Sequence, residues 1–362
     1  MPNWWRQKNK QLVNFMYDLR LAGILSTQIT RYKFSGICMA SLLKPTDENL
    51  HLLRNVLKSG GLVAVPTETV YGLAANAFDA EACARIFTAK GRPTNDPLIC
   101  HIASLEVAES ISSFNELSRK LARLFWPGPL TLILPKAKTI PDIVTAGLES
   151  VAIRCPMHSV FQQLISEIDF PLAAPSANPF AYISPTTATH VNENLGEHID
   201  YILDGGPCEL GLESTIIDAR DESSPLLLRH GALSQEEIET TAGIRLIDKS
   251  SNITQGPSVA PGSALKHYSP KTGLTLSAAP IEEPAAVNPD TAYLLWKKPE
   301  GKNAENIFWL SASGSLTEAA SRLYAALHEI DQLGYQQIIA QTFPEQGMGN
   351  AINDRLRRAA AK

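Results

Sequence analysis

Apolar positions alternate between helical and strand spacing through most of the chain. Residues Asp47 to Lys58 place Leu50, Leu53, Val56 and Leu57 on one helical face, Gly60 and Gly61 stop the helix, and Leu62 to Val65 reads as a buried strand. Asp79 is a good N-cap for a helix running to Lys90, Gly91 ends it, Pro93 and Pro97 punctuate, and "LICHI", residues 98 to 102, follows as a strand. The next helix is expected to bury Leu117, Leu121, Leu124 and Phe125 and to stop at "WPGP". Leu130 to Leu134, "VAIR", "PLAAP", "YILD", "STIID" and "LLLRHG" predict six further strands, with one helix over 158–168 and another near 186–195. So many short strands among few helices predict a mixed, twisted α/β sheet and not a strictly alternating doubly wound one.

The pattern changes after about residue 248. The stretch "SNITQGPSVAPGSALKHYSPK" holds three prolines, two glycines and four serines with little apolar content, the signature of an extended connector. Beyond it come "TAYLLW", a helix from Leu316 to Leu333 with Ala320, Leu323, Leu327 and Ile330 inward, "QQIIAQTF" and a basic closing helix "AINDRLRRAAAK". The expected division is an extension over 1–40, a main α/β domain over 41–248, a Pro-rich linker over 249–271 and a small α/β domain over 272–362. No internal repeat interrupts this order.

At 362 residues, 44% hydrophobic and 19% charged, the chain is long enough for a sizeable core and for two domains. No window approaches the roughly 18 uninterrupted apolar residues of a membrane-spanning helix. Five cysteines, widely spaced and never arranged as C-x-x-C, indicate neither a disulfide framework nor a zinc knuckle, and a reducing cytoplasm fits them best. Residues 1–40 carry six Lys or Arg against Asp18 alone, so a segment of +5 leaves −10 for the rest of a chain whose net charge is −5. An acidic body argues against a protein built mainly to grip a nucleic-acid backbone, since such binding draws on Lys and Arg. The basic leader lacks a secretory apolar segment. Its basic, acid-poor character fits a transit peptide, and the alternative is an appendage or a start-site artefact, with Met39 opening the domain.

Polar clusters sit at the ends of the predicted strands, where ligands bind in open α/β sheets. Thr67, Glu68 and Thr69 follow Val65 and Pro66, with Tyr71 and Gly72 expected to turn the chain away; a solvated strand-to-helix loop is the bland alternative. In "KGRPTNDP", Lys90 and Arg92 stand two apart on a rigid path and would offer a point charge and a planar fork to a polyphosphate or carboxylate. No G-x-x-x-x-G-K-[ST] occurs, so any ATP must be cradled by side chains. Pro175, Ser176, Asn178 and Pro179 follow "PLAA", Arg154 ends "VAIR", Ser214 and Thr215 open "STIID", and Arg229 follows three leucines. Four basic groups at element ends with interspersed hydroxyls read jointly as a convergent anion site.

These stretches, "PTETVYGL", "KGRPTNDPLICHI", "WPGPLT", "VAIRCP", "APSANPF", "LESTIID" and "LRHGAL", resemble in order and spacing the threonylcarbamoyl-AMP synthases, over about residues 48–248. The linker "PGSALKHYSP" and the tail "GMGNAINDRLRRAA" look like the long, two-domain form of that family. The resemblance implies a YrdC-like twisted mixed-sheet catalytic domain plus a small C-terminal Rossmann-like α/β domain. It also implies a nucleotidyltransferase that makes L-threonylcarbamoyladenylate from L-threonine, bicarbonate and ATP, releasing pyrophosphate, with Mg²⁺ accompanying ATP. The product would pass to a threonylcarbamoyl transferase machinery acting on tRNA, to form N6-threonylcarbamoyladenosine; direct tRNA binding is left open. By similarity, the family's K-x-R and S-x-N groups fall on Lys90, Arg92, Ser176 and Asn178, the catalytic set. The ATP set adds Thr94, Ser184, Thr186, Arg229 and Tyr268, and the threonine set is Thr67, His101, Arg154 and Ser214. His267 and Tyr268 would make the linker a lid. Where the family usually has a methionine after Pro-Gly and a bulkier residue next, this chain has Ser263 and Ala264. Two other readings compete: an RNA-binding module of the same fold, which would show no threonine-dependent pyrophosphate release, and carbamoyl transfer to another acceptor.

Overall fold

The helix Asp47–Lys58 shows how local chemistry sets an element. Thr46 accepts a hydrogen bond from the Asn49 N–H as N-cap, Asp47 and Glu48 occupy the first turn, Lys58 the last, and Leu50, Leu53 and Leu57 are buried. The helix Ala80–Lys90 is capped by Asp79, which accepts from the Glu81 and Ala82 N–H groups, and ends at Gly91 in the left-handed region at φ 61°. A computed structural model describes residues 39–251, 267–277, 281, 288–300 and 304–361; residues 1–38 and the Ser263 and Ala264 positions lie outside them.

The first sheet has eleven strands. Their spatial order is Ser41–Leu43, Tyr201–Leu203, Val63–Val65, Gly72–Asn76, Leu172–Ala173, Ile99–His101, Ser150–Arg154, Leu130–Pro135, Thr215–Asp218, Leu226–Arg229 and Ile247–Asp248. Parallel and antiparallel neighbours alternate irregularly, so the sheet is mixed, as the strand-rich pattern predicts. Val63 and Val65 pack in one core and Ala64 in another, on the opposite face. Covering on both faces is why Leu62 to Val65 is a continuous apolar run and not an alternating one.

Two expectations are corrected. Gly72 does not turn the chain away: it opens the strand Gly72–Asn76, which returns antiparallel to Val63–Val65. Its alanines carry little strand propensity and are held by pairing on both sides. Leu124 is 45% exposed and not buried, because the face that meets the core runs through Leu117, Leu121 and Ala122 to a partly buried Phe125 and leaves Leu124 beside it.

The second sheet is all parallel, in the order Gly273–Ser277, Gln337–Gln341, Thr291–Lys297, Ile307–Ser311. The helix Leu316–Leu333 covers it with Ala320, Leu323, Leu327 and Ile330 buried as the spacing predicts, and Met348–Ala360 is the closing helix. Its core also takes in Val70, Ile183, Leu212 and Tyr268, residues that precede the sheet. Docking is polar as well: Tyr182 donates to Asp331 (2.7 Å), Gln332 to Glu193 (2.7 Å), and the His190 and His328 rings stack at 4.1 Å.

Candidate active site

The cluster Thr67, Glu68 and Thr69 is buried and links two antiparallel strands. It is therefore neither solvated nor a strand-to-helix loop. The Thr67 hydroxyl donates to the Val70 carbonyl (2.6 Å) and accepts from the Thr69 and Val70 N–H groups, closing the turn. Glu68 and Thr69 then meet Arg154. The guanidinium donates from Nη2 to Glu68 Oε1 (2.6 Å), from Nη1 to Thr69 Oγ1 (2.8 Å) and from Nε to the Gly128 carbonyl (3.3 Å). Glu68 Oε2 in turn accepts from the Met157 N–H (3.1 Å). Three of the five guanidinium N–H groups are thus committed, and one on each terminal nitrogen is left for a ligand.

Sheet register assembles the rest of this wall. Arg154 lies opposite His101 on one side and Thr131 on the other, and Thr131 shares a 2.7 Å hydroxyl contact with Ser214. Burial pushes the His101 pKa down to about 3, with the Arg154 cation adding to the effect, so the ring is neutral; its Nδ1 lies 3.2 Å from the Ile99 carbonyl.

The opposite wall is cationic. Arg92 is held by Asp96 (3.0 Å) and by the Asp96 and Pro97 carbonyls. Arg229 donates through Nε (3.1 Å) and Nη2 (2.9 Å) to the Ser214 carbonyl, and through Nη2 to the Ser214 hydroxyl (3.1 Å). Beside them Glu213 accepts from Ser184 Oγ (2.6 Å), from the Tyr324 hydroxyl (2.9 Å) and from Arg355 Nε (2.8 Å). Burial alone raises this carboxyl, but Arg355 and Arg229 outweigh it and hold the pKa at about 2. Tyr268 closes the pocket, its ring stacked on Tyr324 at 5.7 Å with the Arg355 guanidinium 5.0 Å from the centroid. The Tyr268 hydroxyl and His267 Nδ1 are buried without a hydrogen-bond partner.

Of the sequence candidates, Thr67, Arg92, His101, Arg154, Ser176, Ser214, Arg229 and Tyr268 line one pocket. Lys90 lies behind it: its buried ammonium donates to the Ser176 carbonyl (2.5 Å) and to that of Asn178. Burial, then the Arg92 cation, push the Lys90 pKa well below its ordinary value, opposed by Asp96. Asn178 serves its own loop, donating to the Pro179 and Tyr182 carbonyls. Ser184 holds Glu213, Thr186 contacts His190, and Thr94 is exposed on the surface. The sequence reading did not single out Glu213, Tyr324 or Arg355. Glu213 stands next to Ser214 in the quoted "LESTIID", and Arg355 within "NAINDRLRRAA", but nothing local joins residues 142 apart.

The pocket's carboxylates do not suit a resident Mg²⁺. Glu213 is occupied by three side chains and Glu68 by Arg154 and a backbone N–H, and no group of three His, Cys, Asp or Glu poised for a metal occurs among the described residues. Nor is any helix among those residues long and apolar enough to cross a membrane.

The family model described as telomere recombination (Sua5/YciO/YrdC) matches residues 55–231, and that described as threonylcarbamoyl-AMP synthase, C-terminal domain, matches residues 233–361. Threonylcarbamoyl-AMP synthase of Pyrococcus abyssi is 41% identical, covering 86% of this chain and 94% of the relative. That of Bacillus subtilis is 38% identical, covering 88% and 94%. The crystal structure of P. abyssi Sua5 complexed with L-threonine superposes with a TM-score of 0.81 at 36% identity, covering 89% of this chain and 98% of that one.

Proposed function

Because the chain belongs to the threonylcarbamoyl-AMP synthase family, we propose that it condenses L-threonine, bicarbonate and ATP into L-threonylcarbamoyladenylate and releases pyrophosphate. The observation that carries this reading is Arg154: a buried guanidinium, clamped by Glu68, Thr69 and Gly128, that keeps one N–H on each terminal nitrogen for a carboxylate. Threonine's carboxylate takes that fork, beside neutral His101 and the hydroxyl-rich strand ends. Its amine adds to bicarbonate with loss of water, and an oxygen of the resulting carbamate attacks the α-phosphorus of ATP. The bond to pyrophosphate breaks, and the negative charge that develops there faces Arg92 and Arg229, fixed donors that need no reorganisation. Mg²⁺ would accompany ATP and offset the charge of its phosphates. Lys90 contributes by holding the Ser176 loop through its carbonyls.

The space between these side chains is about 50 Å³, and Tyr268 lines it. The lid role falls on Tyr268, which would withdraw to admit ATP and return to exclude water from a labile mixed anhydride; linker residues 252–266 lie outside the described residues. Downstream, the adenylate would be consumed by a transferase acting on tRNA. The test is pyrophosphate release from ATP by the full chain: it should require both threonine and bicarbonate, and release that is indifferent to threonine would refute the reading.

A further inference from the structure

The Glu213–Arg355 contact joins the pocket to the closing helix of the second sheet, and its surroundings leave it no slack. Arg355 is 1% exposed, and its Nε reaches Glu213 Oε2 at 2.8 Å. Its Nη1 is tied to Asp354 (2.7 Å), and its Nη2 is buried with no partner. On the other side of Glu213 the backbone continues directly into Ser214, whose carbonyl and hydroxyl together accept three hydrogen bonds from Arg229. This stretch is wedged against Gly231. A Cβ there would lie 2.4 Å from Ser214 C and Thr215 N and 2.5 Å from the Glu213 carbonyl oxygen, which also accepts from the Ala232 N–H at 2.9 Å. A displacement of the Glu213 side chain is therefore passed along a packed backbone to the group that aims Arg229.

We infer that Arg355 is a positioning residue for the nucleotide side of the pocket: by holding Glu213 it fixes Ser214, and through Ser214 it sets the direction of the Arg229 guanidinium. The inference rests on the proposed reaction for the identity of the anion that Arg229 meets. It assigns the second sheet a share in ATP handling that does not pass through the linker alone. Threonine is less affected, because Arg154 takes its orientation from Glu68, Thr69 and Gly128, and its wall meets this chain of contacts through the Thr131–Ser214 hydroxyl pair.

The single variants Arg355→Met and Glu213→Gln, the double variant and Arg355→Lys, all in the full chain, test it. Calorimetry reads threonine and ATP affinity separately, thermal unfolding reads stability, and pyrophosphate release reads turnover. In Arg355→Met, ATP affinity should fall at least tenfold and threonine affinity less than about threefold, since the uncompensated Glu213 charge disturbs the contacts of Arg229 and leaves the three clamps of Arg154 in place. The double variant should recover at least threefold of the lost ATP affinity, because it removes the buried charge, and Arg355→Lys part of it, because it gives that charge a partner. Equal losses for both ligands in step with a fall in melting temperature would reduce the pair to an interdomain staple and overturn the inference, as would unchanged ATP affinity. If the unmodified chain releases no pyrophosphate with threonine, the proposed reaction fails, while the ATP-against-threonine split still decides the role of Arg355.

Discussion

Glu68 shows how a polar residue can be functional without meeting a substrate. Its carboxylate takes one arm of Arg154 and the Met157 N–H, so it decides which edge of the guanidinium faces the pocket. Replacing it by Gln keeps the size and weakens a charge-assisted pair worth about 1.5–3 kcal/mol. Glu68→Gln should weaken threonine binding by roughly tenfold or more while ATP affinity stays within about twofold; a calorimetric titration showing equal losses would contradict this. Lys90 presents a different case. Its ammonium holds the carbonyls of Ser176 and Asn178, so Lys90→Ala strips partners from buried acceptors at about 1–3 kcal/mol. Both melting temperature and pyrophosphate release should drop, the latter by more than about tenfold; a variant of normal stability and normal turnover would remove Lys90 from the site.

At the scale of elements, the periodicities of Asp47–Lys58 and Leu316–Leu333 and the Asp79 and Gly91 caps of Ala80–Lys90 were legible because each is stated within a few neighbouring residues. The short strands were legible as apolar runs for the same reason. The return strand Gly72–Asn76 was not, since its Gly-Leu-Ala-Ala-Asn sequence acquires strand geometry only from partners on both sides. The strand-end polar groups were legible as a convergent candidate pocket. Which of them line it was not: Lys90 and Asn178 turn to loop carbonyls, and Glu213 depends on residues far along the chain. Tyr268 lies between these cases. Its φ of 59° is a left-handed conformation for a bulky residue, maintained here by the stack on Tyr324 and the Arg355 guanidinium. Tyr268→Ala should raise the ATP consumed per threonylcarbamoyladenylate recovered, as water reaches the intermediate; an unchanged ratio at an unchanged rate would show that the linker takes no part in protecting it.

For the whole molecule, the contact between the two sheets carries its own pH dependence. His190 and His328 stack across it, and burial pushes their pKa values down to about 4 and about 3; a like-charge interaction with His190 adds to the effect on His328. The unfolded chain, with ordinary histidines near 6.5, binds more protons than the folded one below that pH. Stability is therefore full above about pH 6.5 and is lost as pH falls toward the folded values, on the order of 1–2 kcal/mol by pH 5 for the deeply buried His328 and less for His190, which water screens. Melting temperature should fall between pH 7 and pH 5, and by less in His328→Gln; an identical fall in both proteins would assign the loss to other groups. The long-range hydrogen bonds of the pocket bear on how the protein is made. Lys90 to Ser176 and Arg154 to Glu68 each span 86 residues, and Arg355 to Glu213 spans 142. Closing such loops is slow compared with forming hairpins and helices. During synthesis the first sheet can gather its strands long before Arg355 emerges from the ribosome, so a nascent chain passes through a period in which it is largely folded but its nucleotide wall is unset. In refolding experiments, ATP-binding competence should accordingly lag behind the recovery of secondary structure, which makes affinity for the nucleotide a late reporter of the finished native state.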